Sequence, residues 1–229
     1  MQDFLHPNRT DNGQKARVMR LLGRLGATFL HLGQDCVEAK RPEMRFGRED
    51  AAEASRRVGA NCGPMALAAI TGRTPLDVLP FIPRWDDFHF TTEVMMAIAL
   101  YRLGHVFAWQ EHGYATTPYD WPSLGLVRIA FEGPWSRSLA RQELLKRSHW
   151  IATSRDDHGR LHIYDVNIMV GGGWRPYAKW RDETLPFIAG RLIPGADGRW
   201  RGIEQFDLAP WFGGSPRDLM IVTGESIAA

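Results

Sequence analysis

The run Met65-Ala66-Leu67-Ala68-Ala69-Ile70 has no polar side, and it limits what this chain can build. A helix that is apolar all round has to be buried, so other elements must pack against it from several directions. Its start is written in Asn61-Cys62-Gly63-Pro64 and its end in Gly72. Asn61 is a good N-cap type, Pro64 falls in the first turn where no N–H is needed, and Gly72 suits the C-terminal stop. Cys62 is therefore expected at or near a helix N-terminus. The unpaired N–H groups there carry partial positive charge, which favours thiolate over thiol. A lone cysteine can equally serve as a small core hydrophobe.

With 229 residues the chain can bury one sizeable core, or two small ones at most. Its net charge of +2, with scattered arginines and no basic run, makes no electrostatic case for a nucleic-acid partner. No apolar run is long enough to span a bilayer, and Met1 to Asn8 lack the apolar core of a signal peptide. A cytoplasmic setting is expected, with no membrane partner. Two cysteines, Cys36 and Cys62, make no disulfide framework. Charged residues follow Cys36, which makes it the weaker nucleophile candidate.

Along the chain, helices are expected first and strands later, which suggests an α+β fold. Residues 1–13 read as a loose arm, 14–32 as a helix and 33–49 as a connector. A short helix over 49–57 feeds the Cys62 turn, Thr74–Leu79 reads as a capped short helix, and Thr91–Leu100 as another helix. Pro80 to Asp87 read as a loop. Asp86, Asp87 and His89 are polar residues suited to capping that loop. Strands are expected at 105–109, 126–131, 149–153, 161–166 and 219–223, with a short helix over 138–147. Residues 174–212 are rich in Trp, Pro and Gly and read as short strands and loops. The late tryptophans, Trp174, Trp180, Trp200 and Trp211, suit either a groove wall or aromatic core packing. Gly171-Gly172-Gly173 lacks the strand–loop–helix context of a phosphate cradle. We divide the chain into an N-terminal arm and helix (1–48), a core (49–170) and an extension that completes the same domain (171–229).

The turn formers Arg155 to Arg160 join two of these strands into a hairpin. With the turn centred on Asp157, His149 and Asp165 are directly opposed, on a face shared with Ile151, Ile163 and Asn167. A shift of one residue would put Asp165 on the other side. In the aligned register a carboxylate fixes the imidazole tautomer and steadies an imidazolium, while the second ring nitrogen faces a thiol. His158 and His162 straddle the turn near Asp156 and Asp157, and a solvated turn explains them better than a metal site, since no zinc-type Cys/His spacing occurs.

Asn61-Cys62-Gly63-Pro64 leading an apolar helix resembles the nucleophile turn of papain-fold cysteine peptidases. Ser148-His149-Trp150-Ile151-Ala152 and Ile163-Tyr164-Asp165-Val166-Asn167 resemble that family's histidine and acid strands, in the same order. The closest likeness is to the bacterial branch that includes bacteriocin-processing, double-glycine peptidase domains, over about residues 55–170. It implies a Cys-bearing helix packed on an antiparallel sheet that carries His and Asp. It also implies Cys62 as nucleophile, His149 as base and then acid, and Asp165 as orienter, with Asn167 as runner-up. One feature departs from the pattern. The family usually has an oxyanion-hole glutamine a few residues before the cysteine, where this chain has Arg56, Arg57 and Val58. The backbone N–H of Cys62 and the Asn61 amide are the remaining donors.

The expected chemistry is thiol-dependent hydrolysis of a peptide or amide bond in a peptide or protein substrate. It needs no metal or cofactor. Two alternatives stand beside it. One is acyl transfer of the transglutaminase kind, with an amine in place of water. The other is a catalytically weak papain-fold protein used for binding or assembly, as inside a phage particle or a toxin system.

Overall fold

The computed structural model describes residues 41–59, 62–111, 121–137, 147–168, 173–191, 193, 195–208 and 220–222. The N-terminal arm, the helix expected over 14–32, Cys36, Asn61, Trp211 and most of the helix expected over 138–147 lie outside them.

Helices come first, as expected: α1 (Arg48–Val58), α2 (Cys62–Thr71), α3 (Pro75–Val78), α4 (Trp85–Phe88) and α5 (Glu93–Arg102). Residues Gly63 to Ile70 of α2 are all buried. The helix ends at Gly72, whose φ of +63° is left-handed, and Arg73 N–H returns to the Ala68 carbonyl at 3.2 Å. Glycine takes that conformation without a Cβ penalty, and the returning bond satisfies a carbonyl the helix leaves open. Thr74 caps α3 and Thr92 caps α5, each accepting a backbone N–H three residues on. The stretch from Pro80 to Asp87, read as a loop, instead holds a 3-10 turn (Leu79–Phe81) and the one-turn helix α4. Asp87 there accepts from Arg84 at 2.7 Å, and Arg84 and His89, which flank α4, are both left-handed.

The strands are β1 (Phe107–Glu111), β2 (Leu124–Phe131), β3 (Ser148–Arg155), β4 (Leu161–Tyr164), β5 (Trp174–Pro176), β6 (Trp200–Asp207) and β7 (Met220–Val222). They form one antiparallel sheet in the order β5-β4-β3-β2-β6-β1-β7. The sheet therefore joins strands from both sides of residue 170. The α+β class follows directly.

The sheet is covered on both faces. On one face Leu126, Trp150, Ala152, Tyr164 and Phe206 pack with the apolar residues of α2 and α5. On the other, Val127, Ile129, Ile151 and Ile163 pack against Trp121, Trp180, Leu185 and Ile188. All eight positions of β2 are buried, which is the pattern of a strand with a layer on each side.

The second layer corrects the reading of 174–212 as short strands and loops. Tyr177–Lys179, a wide π-type turn over Trp180–Thr184, and Leu185–Arg191 (α6) run as one helical segment. Pro186 hid it, since proline lacks an N–H and crowds the preceding turn of a helix. The widened turn lies directly before Pro186, where it absorbs that misfit. Trp180 is fully buried here, while Trp174 and Trp200 are half-buried at the edges of the two cores.

Gly63 is where α2 runs close against Thr91. A Cβ at this position would collide with the Thr91 hydroxyl and its methyl group. Replacing Gly63 with alanine should therefore cost about 1–3 kcal/mol, as overpacking does in cores, measured as a lower urea midpoint at unchanged slope.

Candidate active site

Three chain segments supply the site. Cys62 is the first residue of α2 and is half-buried. His149 is the second residue of β3, and Asp165 follows directly on β4. Both are buried, Asp165 completely.

The hairpin register differs from the expected one by two residues. Thr153 pairs with Ile163 and Ser154 with His162, so the turn centres on His158 and Asp165 falls opposite Ile151 rather than His149. Direct opposition is thus corrected to a diagonal relation. Side chains alternate with period two, so a two-residue shift keeps the same face, and a diagonal neighbour stays within reach. His149 Nε2 donates to Asp165 Oδ1 at 3.0 Å. Nδ1 is left for Cys62, whose thiol meets the imidazole in a side-chain hydrogen bond. The structure brings Cys62, His149 and Asp165 together as a connected chain of groups.

The alternation of β3 explains how two layers meet in one site. Trp150 packs with the α2 layer, while Ile151 packs with the layer of Trp180. The thiol comes from the first layer. The imidazole and carboxylate belong to the second.

Asp165 is held from several directions. Its Oδ1 also accepts from the Asn167 backbone N–H at 2.9 Å and from Asn167 Nδ2 at 3.0 Å. Its Oδ2 accepts from Trp180 Nε1 at 2.9 Å. Asn167, expected as an alternative orienter of His149, instead bonds to Asp165 and positions it. Trp180 was read only as an aromatic of the C-terminal region. Its role as a donor depends on the π-type turn, and nothing local in sequence marks it.

The charges follow from these contacts. Burial alone would push the Cys62 thiol up. The His149 hydrogen bond and charge, the Trp150 backbone N–H and the Arg128 guanidinium outweigh it, so the thiol sits below its ordinary value. Burial likewise disfavours a charged imidazole, but the Asp165 carboxylate and the bond to Cys62 raise His149 to about 10. For Asp165, burial is outweighed by His149, Trp180 and Asn167, and the carboxyl stays below the usual range. These contacts favour a thiolate facing an imidazolium, backed by a carboxylate.

Asn61 lies outside the described residues, so its place in an oxyanion hole is not part of this geometry. Arg56, near where the resemblance asks for glutamine, is exposed and pairs with Glu53 at 2.7 Å. His158 and His162 do not join the site. His162 meets Asp156 at 3.3 Å in the hairpin turn, where Asp156 also binds Arg160. Among the described residues no group of three or more His, Cys, Asp or Glu side chains has a metal-holding arrangement. No described helix is long and apolar enough to cross a membrane.

No family model matches the chain, and neither curated proteins nor solved structures give a match.

Two outcomes are expected. Cys62 should alkylate well below the pH at which an ordinary thiol, with a pKa of about 8.5, loses its thiolate, and His149→Ala should remove that low-pH reactivity in a rate-against-pH series. Asp165→Asn should destabilise the fold by about 3 kcal/mol or more at neutral pH, the usual cost of breaking a buried pair. The folded Asp165 value is depressed, so its contribution is present above about pH 4 and lost as pH falls through the folded value. The His149 value is raised, so its contribution is complete below about pH 6.5 and lost as pH rises through about 10. Unfolding curves of the two proteins should therefore converge at both pH extremes.

Proposed function

We propose that this protein is a cysteine-dependent hydrolase of papain-like arrangement that cuts a peptide or other amide bond. The observation that carries the reading is His149, held between the Cys62 thiol and the buried Asp165 carboxylate. A helix bearing the cysteine, packed on an antiparallel sheet bearing the other two groups, is the arrangement the sequence resemblance implies.

The thiolate adds to the carbonyl carbon, and the oxygen takes the negative charge. The backbone N–H of Cys62, one of the open donors at the start of α2, is suited to meet it. His149 gives its proton to the departing nitrogen, the C–N bond breaks, and a thioester remains on Cys62. Water then gives a proton to His149 and adds to the thioester. The C–S bond breaks and the acid leaves, restoring the thiolate–imidazolium pair. Throughout, Asp165 keeps the imidazole in the tautomer that presents Nδ1 to sulfur. An amine acceptor in place of water would make the second half an acyl transfer, with the same three residues in the same roles.

A peptidyl electrophile that alkylates only an activated thiol tests this directly. Intact-mass and peptide mapping should place the label on Cys62, with Cys36 at least tenfold slower. Cys62→Ser should remove the fast labelling, leaving only the slow reaction of Cys36, and abolish any peptide cleavage while leaving the unfolding midpoint nearly unchanged. Equal labelling of the two cysteines would favour the binding or assembly reading. Adding a primary amine to a cleaving reaction separates hydrolysis from transfer by the mass of the product.

A further inference from the structure

The Cys62–His149 pair joins two layers of the fold, and its separation is set by whatever ties them. One buried charge cluster lies at that seam. Arg128 is the single charged residue within the apolar run of β2, and its side chain is 3% exposed. Its Nη1 donates to Glu93 Oε2 at 3.0 Å, and the Glu93 side chain is 4% exposed. Its Nε donates to Ser148 Oγ at 2.8 Å. Its guanidinium carbon lies 5.4 Å from the centre of the Trp150 ring.

Ser148 and Trp150 are the two neighbours of His149 in β3, so one guanidinium grips the strand on both sides of the imidazole. Trp150 also supplies the backbone N–H that reaches the Cys62 sulfur. The Trp150 indole donates to the Thr91 carbonyl at 3.3 Å. Thr91 is the residue that Gly63 abuts, beside Cys62. The segment Thr91 to Glu93 thus touches the neighbour of the thiol with one residue and anchors Arg128 with another. The bulge between β2 and β6 falls between Arg128 and Ile129, and Ile129 is the partner of His149. Bulges re-aim side chains and recur beside sites.

We propose that Arg128, anchored by Glu93, is a positioning residue that clamps Ser148 and Trp150 and so fixes His149 against the Cys62 sulfur. A salt bridge with no such task is a poor way to stabilise a core, because desolvation consumes most of its attraction. The fork of arginine is what the task requires, since one planar group must reach Glu93 and Ser148 while lying over an aromatic ring. This rests on the thiol–imidazole reading above.

Among the described residues, the ionisable groups acting on the thiol–imidazole pair are Arg128 from β2, with Glu93 bound to it at the start of α5, and Asp165 after β4. Tyr164, next to Asp165, is held far above the usual phenol range by burial and by that carboxylate, so it stays neutral.

The test compares Cys62 alkylation by iodoacetamide across pH in five proteins. These are wild type, His149→Ala, Arg128→Lys, Ser148→Ala and the double variant Arg128→Met with Glu93→Met. The double variant removes both charges of the pair together rather than stranding one of them, and its folding is checked by circular dichroism and urea unfolding. Its low-pH alkylation should fall about 10- to 100-fold, the penalty expected of a reacting group displaced by about 1 Å. Ser148→Ala deletes the Ser148 arm of the clamp and leaves the Glu93 and Trp150 contacts of Arg128, and should lose about threefold. Arg128→Lys keeps the charge without the fork and should stay nearer the double variant than wild type. Full recovery with lysine would overturn positioning in favour of a bare charge effect. A wild-type profile in the double variant would overturn the proposal outright; should that variant not fold, an unchanged Ser148→Ala profile does the same. Failure of the underlying reading is distinguishable, because wild type and His149→Ala would then share one profile.

Discussion

A buried carboxylate needs donors, and Asp165 has them from three parts of the chain. His149 comes from β3, Asn167 from the turn after β4, and Trp180 from the helical layer beyond the sheet. An ionised group without exposure would otherwise cost several kcal/mol. The requirement runs in both directions. The donors keep Asp165 charged, and Asp165 holds the hairpin, the following turn and the π-type turn in one geometry. Removing any partner leaves a buried acceptor open at about 1–3 kcal/mol.

That anchoring gives the imidazole its orientation. With Nε2 committed to Asp165, the remaining nitrogen faces the thiol. The start of α2 adds the open N–H groups of its first turn, and Trp150 adds another. The apolar packing of α2 against β2 and β3 makes the placement stiff, because close-packed interiors do not deform continuously. A second charge cluster, Arg128 with Glu93, sits on the opposite face of β3 from Asp165. His149 is thus bracketed from both sides of its strand.

Much of this was legible in the residues. The all-apolar run after Cys62, its glycine stop, the capping threonines and the turn formers after Arg155 each act over a few neighbours. Local chemistry specifies them. The hairpin register was legible only to within two residues, since the turn can centre on Asp157 or His158 with similar residues at its corners. The face of Asp165 survived that shift because side-chain direction repeats every two residues. The helical segment from Tyr177 to Arg191 was not legible. Pro186 and Gly190 argue against a helix locally, and the burial of Trp180, Leu185 and Ile188 against the sheet overrides them. Arg128 did carry a signal, as a lone charge inside an apolar strand, but its meaning depends on a glutamate 35 residues earlier.

The sequence by itself determined the kinds of groups available and their local settings. It placed a cysteine at the head of a buried helix, a histidine at the start of one strand and an aspartate at the end of the next. Tertiary structure decided which nitrogen of His149 meets which partner, that Asn167 serves Asp165 rather than His149, and that Trp180 completes the carboxylate's shell. These outcomes depend on distances between elements far apart in the chain. Such distances are set by how two apolar layers close on a sheet, and no short-range pattern encodes them.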